Sequence, residues 1–174
     1  LADASRIALG RLEPHVAPAD LAYLMRGALA RFDPQNAGRI RLDVPAGTDA
    51  TGEWDAAMLD RVIGNLLSNA VKYSSQGAPI EVTMRAEPHH VRLVVRDGGI
   101  GMDTDELQGI FERYSRARGA QERGIEGQGL GLYLCRGIVQ AHGGRIWAES
   151  AGRGQGTTVH VILPRRATPP LPAR

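Results

Sequence analysis

Asn65 and Asn69 stand four residues apart, so on a helix they share one face, and Lys72 and Tyr73 follow at the next turn. The segment reads Asn65-Leu66-Leu67-Ser68-Asn69-Ala70-Val71-Lys72-Tyr73-Ser74. Leu66, Leu67 and Ala70 point elsewhere, toward a core. Two amides on an otherwise apolar helix are costly when buried without partners. Amide oxygens suit a hard cation such as Mg²⁺. A lysine ammonium is a compact point charge for a phosphate, and a tyrosine ring offers a flat face to a base.

Four further segments could act with it. Asp97-Gly98-Gly99-Ile100-Gly101 follows an alternating strand. A carboxylate there accepts hydrogen bonds and donates none, which suits the exocyclic amine of adenine and repels O6 of guanine. Gly127-Gln128-Gly129-Leu130-Gly131 opens a helix, and free N–H groups at a helix start attract anions. Phe111-Glu112-Arg113-Tyr114, with Arg116, Arg118 and Arg123, supplies guanidiniums for a lid over phosphates. Gly154-Gln155-Gly156-Thr157-Thr158 leads into a strand. Taken singly, these also read as solvent-facing asparagines, an acidic turn, a glycine-rich helix start, a solvated basic loop and a plain turn.

The elements that must position these groups follow from periodicity. Residues 1–12 read as an uncapped helix, as though cut from something longer, and 13–18 break it. Asp20 caps a helix over 21–32. Ile40, Leu42 and Val44 alternate with polar residues as a strand, and a short strand is expected near 51–54. Asp55 opens the most strongly patterned helix, which runs to Lys72 through Met58, Leu59, Val62, Ile63, Leu66, Leu67 and Ala70. Ile80, Val82 and Met84 pair across a hairpin with Val91, Leu93 and Val95. A short helix covers 103–110, and 111–126 reads as a mobile polar loop. A helix from Gly131 ends at Gly143-Gly144. Two strands, 145–150 and 157–163, close on Pro164. The sum is a mixed α/β layer with about five mostly antiparallel strands and helices on one face.

Composition removes other classes. The chain has 174 residues, 43% apolar and 23% charged, enough for one globular domain. No run approaches the roughly 20 apolar residues of a membrane span. A net charge of +2, with acids throughout, leaves no nucleic-acid footprint. The single cysteine, Cys135, excludes an internal disulfide and a multi-cysteine zinc site, and reads as a buried thiol. Lys72 is the sole lysine beside a large excess of arginine, and Ala70-Val71 before it excludes a P-loop. Of the 22 glycines, 15 lie between positions 98 and 156, where backbone must turn sharply or approach something closely.

In this order and spacing, N-x-x-x-N-A-x-K-Y-S, D-x-G-x-G, F-E-R-Y, G-x-G-L-G-L and G-x-G-T-T closing on L-P, the chain resembles the catalytic ATP-binding domain of sensor histidine kinases, within the GHKL ATPase superfamily. The resemblance covers about residues 20–164. It implies a two-layer Bergerat-type fold with a flexible ATP lid, a catalytic domain over 20–165, the end of a dimerisation helix and linker over 1–19, and a disordered tail over 166–174. It implies ATP and Mg²⁺ as ligands. Asn69 would coordinate the metal and Asn65 would line the same site. Lys72 would contact phosphates and Tyr73 would pack on adenine. Asp97 would read the adenine amine, and Gly99 and Gly101 would shape the base pocket. Gly127, Gly129, Leu130 and Gly131 would form the lid hinge and the phosphate-facing helix start. Thr157 would hold a water-mediated contact near the base, and Arg113 and Arg116 would belong to the lid or its flank. The chain departs from the pattern at Gly98, at Gln128 and at Glu126.

The hydrolysing branches of that superfamily carry Glu where this chain has Asn65. An amide cannot take a proton from water at neutral pH, so this site is expected to hold ATP without rapid hydrolysis and present it to another nucleophile. The resembling kinases phosphorylate a histidine followed by an acid. His15, His89, His90, His142 and His160 lack that neighbour, so the acceptor is expected outside this chain. The implied partners are the dimerisation and histidine-phosphotransfer domain of the same kinase and a response-regulator receiver domain. The implied place is the cytoplasm, without membrane or nucleic-acid contact by this segment. A nucleotide-binding regulatory module without transfer activity, and an anti-sigma-factor-like serine kinase, are the alternatives.

Overall fold

The computed structural model describes residues 7, 12–122, 124–125 and 127–166. Apart from Ile7 and Leu12, the helix expected over 1–12 lies outside them, as do Arg123, Glu126 and the tail from 167.

Two sheets form. A two-stranded ribbon pairs β1 (Ala17–Asp20) antiparallel with β3 (Thr51–Trp54). The main sheet has the order β2 (Ile40–Asp43), β4 (Ile80–Ala86), β5 (His90–Asp97), β7 (Thr157–Pro164), β6 (Arg145–Glu149), and only β2 and β4 run parallel. This is the expected mixed, mostly antiparallel five-stranded layer. Alternation decides which face is covered: Val82, Met84, Val91, Leu93, Val161 and Leu163 are buried beneath the helices. The opposite face carries Arg92, Trp147 and His160, with the Trp147 and His160 rings stacked at 4.8 Å.

The helices are α1 (Leu21–Leu29), α2 (Pro34–Ala37), α3 (Ala56–Tyr73), α4 (Thr104–Gly109), α5 (Arg118–Glu122) and α6 (Gly131–Ala141). In α3 the Asp55 side chain accepts from Met58 N at 3.0 Å, the N-cap bond expected of aspartate. Leu59, Val62, Ile63, Leu66, Leu67 and Ala70 form its buried stripe, which leaves Asn65, Asn69 and Lys72 on another face. The end of α6 is a Schellman turn: Gly143 takes φ 72, Gly143 N bonds Gln140 O, and Gly144 N bonds Val139 O.

One buried polar node fixes α3 against α6. Asp55 N donates to His142 Nε2 at 3.0 Å, and His142 Nδ1 lies 2.8 Å from Ile138 O. Because Nε2 accepts, the ring proton sits on Nδ1 and the imidazole is neutral. Burial lowers its pKa and keeps it so. His15 N donates to the other Asp55 oxygen at 2.9 Å, which ties the segment before β1 to the same node.

Three elements differ from expectation. α1 stops at Leu29, and the next residues form a turn and the short α2, capped by Asp33. Residues expected to be a break contribute β1, whose pairing with β3 is roofed by the fully buried Trp54. The polar stretch 111–126 holds the short α5, with Arg118 bound to Asp105 at 2.8 Å and Arg153 bridging Asp103 and Glu122.

Candidate functional site

A cavity of about 370 Å³ opens between α3, the ends of β5 and β7, and the segments on either side of α5. Asn65, Asn69, Lys72 and Tyr73 line it from α3. The register sets Asp97 directly opposite Thr157 across β5 and β7, so two residues 60 apart in sequence meet at one end of the cavity.

Asp97 Oδ1 accepts from Gly99 N at 2.8 Å, and Thr157 N also donates to the carboxylate. Burial still outweighs these bonds and pushes its pKa up to about 6. A free carboxylate with a cost of burial gains from any donor that reaches it. The turn after β5 docks on the end of α3: Ile100 N bonds Tyr73 O at 3.1 Å, and a Cβ at Gly99 would collide with that carbonyl. Gly101, at φ 62, presses against the Gly152 carbonyl in the same way. Glycine is needed at both positions by close approach.

From the other side, the glycine-rich start of α6 closes on the polar face of α3. A Cβ at Gly127 would lie 3.1 Å from Lys72 Nζ, and one at Gly131 would lie 3.7 Å from Asn65 Oδ1. Gly129 takes φ 66, and a Cβ there would sit 2.5 Å from Ser115 O. Tyr114, at φ 63, donates from its N–H to Gly129 O at 3.0 Å. The F-E-R-Y segment and the glycine segment are thus joined to each other.

Arg116 lines the cavity and donates to Ile125 O, while its buried Nε has no partner. Its charge counters part of the burial that raises the Tyr73 hydroxyl pKa. Arg113 is not brought in: it is exposed, outside the lining, with its guanidinium 4.8 Å over the Tyr114 ring. Gly127, Gln128, Gly129, Leu130 and Gly131 all line the cavity. Gly99 does not, but holds the Asp97 carboxylate.

The apolar walls went unread in the sequence. Val95, Ile100, Met102, Ile110, Ala117 and Val159 line the cavity. Val95 was legible only as an inward strand position, and nothing marked Met102 or Ala117. Among the described residues no group of three or more His, Cys, Asp or Glu side chains could hold a metal. The cation ligands the cavity offers from α3 are the neutral amide oxygens of Asn65 and Asn69. Such a set binds a metal that arrives with its own anionic ligands, as a nucleotide phosphate chain does.

Residues 54–167 match the family described as histidine kinase-, DNA gyrase B- and HSP90-like ATPases. The signal transduction histidine-protein kinase/phosphatase MprB of Mycolicibacterium paratuberculosis is 38% identical over 161 residues, covering 88% of this chain and 29% of that protein. The sensor protein kinase WalK of Staphylococcus aureus is 39% identical over 124 residues, covering 70% of this chain and 29% of that protein. The solved structure of the mycobacterial sensor histidine kinase MprB superposes with a TM-score of 0.73 at 29% identity, covering 88% of this chain and 99% of that one. Full-length ShkA in complex with AMPPNP superposes with a TM-score of 0.73 at 25% identity, covering 97% of this chain and 35% of that one. The chain spans less than a third of the length of these curated relatives.

Proposed function

From the premise that the chain belongs to the histidine kinase-, DNA gyrase B- and HSP90-like ATPase family, we propose that it is the ATP-binding catalytic domain of a sensor histidine kinase. It binds Mg-ATP and presents the γ-phosphate to a histidine outside this chain, for relay to a response-regulator aspartate. The observation that carries this is the convergence of Asn65, Asn69 and Lys72 with Gly127 and Gly131 around one cavity that has Asp97 and Thr157 at its end.

The residues fit that ligand by chemistry. Asp97 accepts from the adenine amine, and Val95, Ile100, Met102 and Val159 enclose the ring. Lys72 and Arg116 offset phosphate charge, and the start of α6 supplies backbone N–H groups. Asn69, with Asn65, would hold the metal ion, which when bound would offset phosphate charge. Asn65 stands where a general base would activate water, and an amide does not take that proton. Catalysis then rests on positioning.

The domain proper spans 20–165, in the cytoplasmic part of the parent protein. No helix among the described residues is long and apolar enough to cross a membrane. The partners are the dimerisation domain with its acceptor histidine and a receiver domain. Internal acceptors are poorly placed: both His142 nitrogens are engaged in the core, and His160 is buried against Trp147.

The test is transfer. The chain, Mg²⁺ and γ-labelled ATP are mixed with a dimerisation-domain fragment carrying the acceptor. Acid-labile label on the fragment is expected, and its absence while ATP binds overturns the kinase reading. Lys72→Arg keeps the charge but replaces a compact ammonium with a planar fork, on a side chain that already abuts Gly127. ATP affinity should fall by about tenfold, roughly 1.4 kcal/mol. Calorimetric titration reads this directly, and a Lys72→Arg chain that binds ATP like the parent removes Lys72 from the phosphate site.

A further inference from the structure

The loop between β6 and β7 carries an arginine that ties separate parts of the cavity wall together. Residues 150–156 are knitted to the turn after β5. Gly154 N donates to Ile100 O at 2.7 Å, and Gly156 N donates to Gly99 O at 3.1 Å. Ser150 Oγ accepts from Met102 N at 3.0 Å and donates to Gly156 O at 2.7 Å. Ile100, Gly101 and Met102 line the cavity, so Arg153 stands on a platform fixed to that wall.

From this platform Arg153 reaches two elements with two different nitrogens. Its Nε lies 3.0 Å from Oδ2 of Asp103, the N-cap of α4. Its Nη1 lies 3.4 Å from both carboxylate oxygens of Glu122, the last residue of α5. α5 buries one side chain, Ala120, so apolar burial does little to fix it. Its first residue, Arg118, is held by Asp105 and by the Glu106 carboxylate of α4. Arg153 holds the other end. α5 in turn joins two further stretches of lining, 115–117 before it and 127–131 after it.

We propose that Arg153 is a positioning residue for nucleotide retention: it braces α5 against the turn after β5 and so slows release of a bound nucleotide. The proposal rests on the Mg-ATP reading of the cavity. Arg153 lies outside the lining and acts through α5. Its ion pairs are exposed, which limits each to a small contribution and makes it sensitive to salt.

Release of a fluorescent ATP analogue from the whole chain in Mg²⁺ is followed by stopped flow after mixing with excess ATP. At low salt Arg153→Gln should speed release by about threefold and Glu122→Gln by about twofold. Association rates and melting temperatures should stay near those of the parent. The two substitutions shift the net charge in opposite directions. A general attraction for the anionic nucleotide would therefore move release in opposite senses, whereas loss of a brace moves both the same way. The double variant should release no faster than Arg153→Gln alone, because the two residues act through one contact. At about 1 M salt, where screening sets in within about 3 Å, the variants should converge on the parent. Arg145→Gln removes the same charge beside Trp147, on the other face of the sheet, and should release like the parent. An Arg153→Gln chain that releases at the parent rate, or a Glu122→Gln chain that releases more slowly, overturns this proposal alone. A parent chain that binds no analogue sinks the functional reading, and the retention role with it.

Discussion

Asn69→Ala will bind ATP no better in Mg²⁺ than in EDTA. Asn69 lies one helical turn beyond Asn65 on the polar face of α3, and both line the cavity. No carboxylate cluster among the described residues shares the task. The metal would therefore be held by phosphate oxygens, water and few protein atoms. Each neutral amide oxygen then counts for much of the protein's hold. Losing one should lower Mg²⁺-dependent affinity by about 100-fold, at the upper end for groups that orient a metal. The residual EDTA affinity comes from the adenine and phosphate contacts that need no metal, and it should not move. Thermal stability should not fall either, because Asn69 is off the buried stripe and alanine is a better helix former. Calorimetry with and without Mg²⁺ reads the ratio, and a persistent Mg²⁺ gain removes Asn69 from the metal site.

Groups that depend on one helix were legible in the sequence, and groups that depend on several were not. The α3 stripe and its Asp55 cap are local facts of spacing, and they place Asn65, Asn69 and Lys72 together without any tertiary knowledge. The hairpin of β4 and β5 followed from alternation, and Gly143-Gly144 from the demands of a helix end. β1 escaped because a four-residue strand containing Pro18 has no pattern of its own. It exists through its pairing with β3 and the cover of Trp54. The α5 turn escaped for a related reason. Its ties are ion pairs from Arg118 and Arg153 to Asp105 of α4, to the α4 cap Asp103 and to Glu122, and these leave no periodicity. Motif order also treated Arg113 and Arg116 alike. Geometry separates them, because Tyr114 holds the first outside and the backbone at Ile125 holds the second at the wall.

Asp97→Asn will lower ATP affinity by about 100-fold and erase the preference for adenine over guanine. A carboxylate accepting from an amine is a charge-assisted bond, typically worth ~1.5–3 kcal/mol. The amide loses the charge and also sets a donor in the site, since the N–H groups of Gly99 and Thr157 claim its oxygen. That donor opposes the adenine amine and suits guanine O6. The same residue gives the parent a pH signature. In the free chain its pKa stands at about 6, raised by burial from 3.8. Below pH 6 the group is protonated and accepts less strongly, so ATP affinity should decline as pH falls through that value. Stability runs the other way at this residue. A carboxyl whose folded pKa exceeds its unfolded value costs stability when charged, and that cost is relieved as pH drops from about 6 toward 3.8. His142 contributes the opposite slope, because its lowered pKa gives stability above 6.5 that is lost on acidification. Comparing the Asp97→Asn variant with the parent cancels the histidine. The difference in unfolding free energy between them should shrink from about pH 7.5 to about pH 5, while the difference in ATP affinity also shrinks. An affinity gap that stays constant across that range would place Asp97 away from the base.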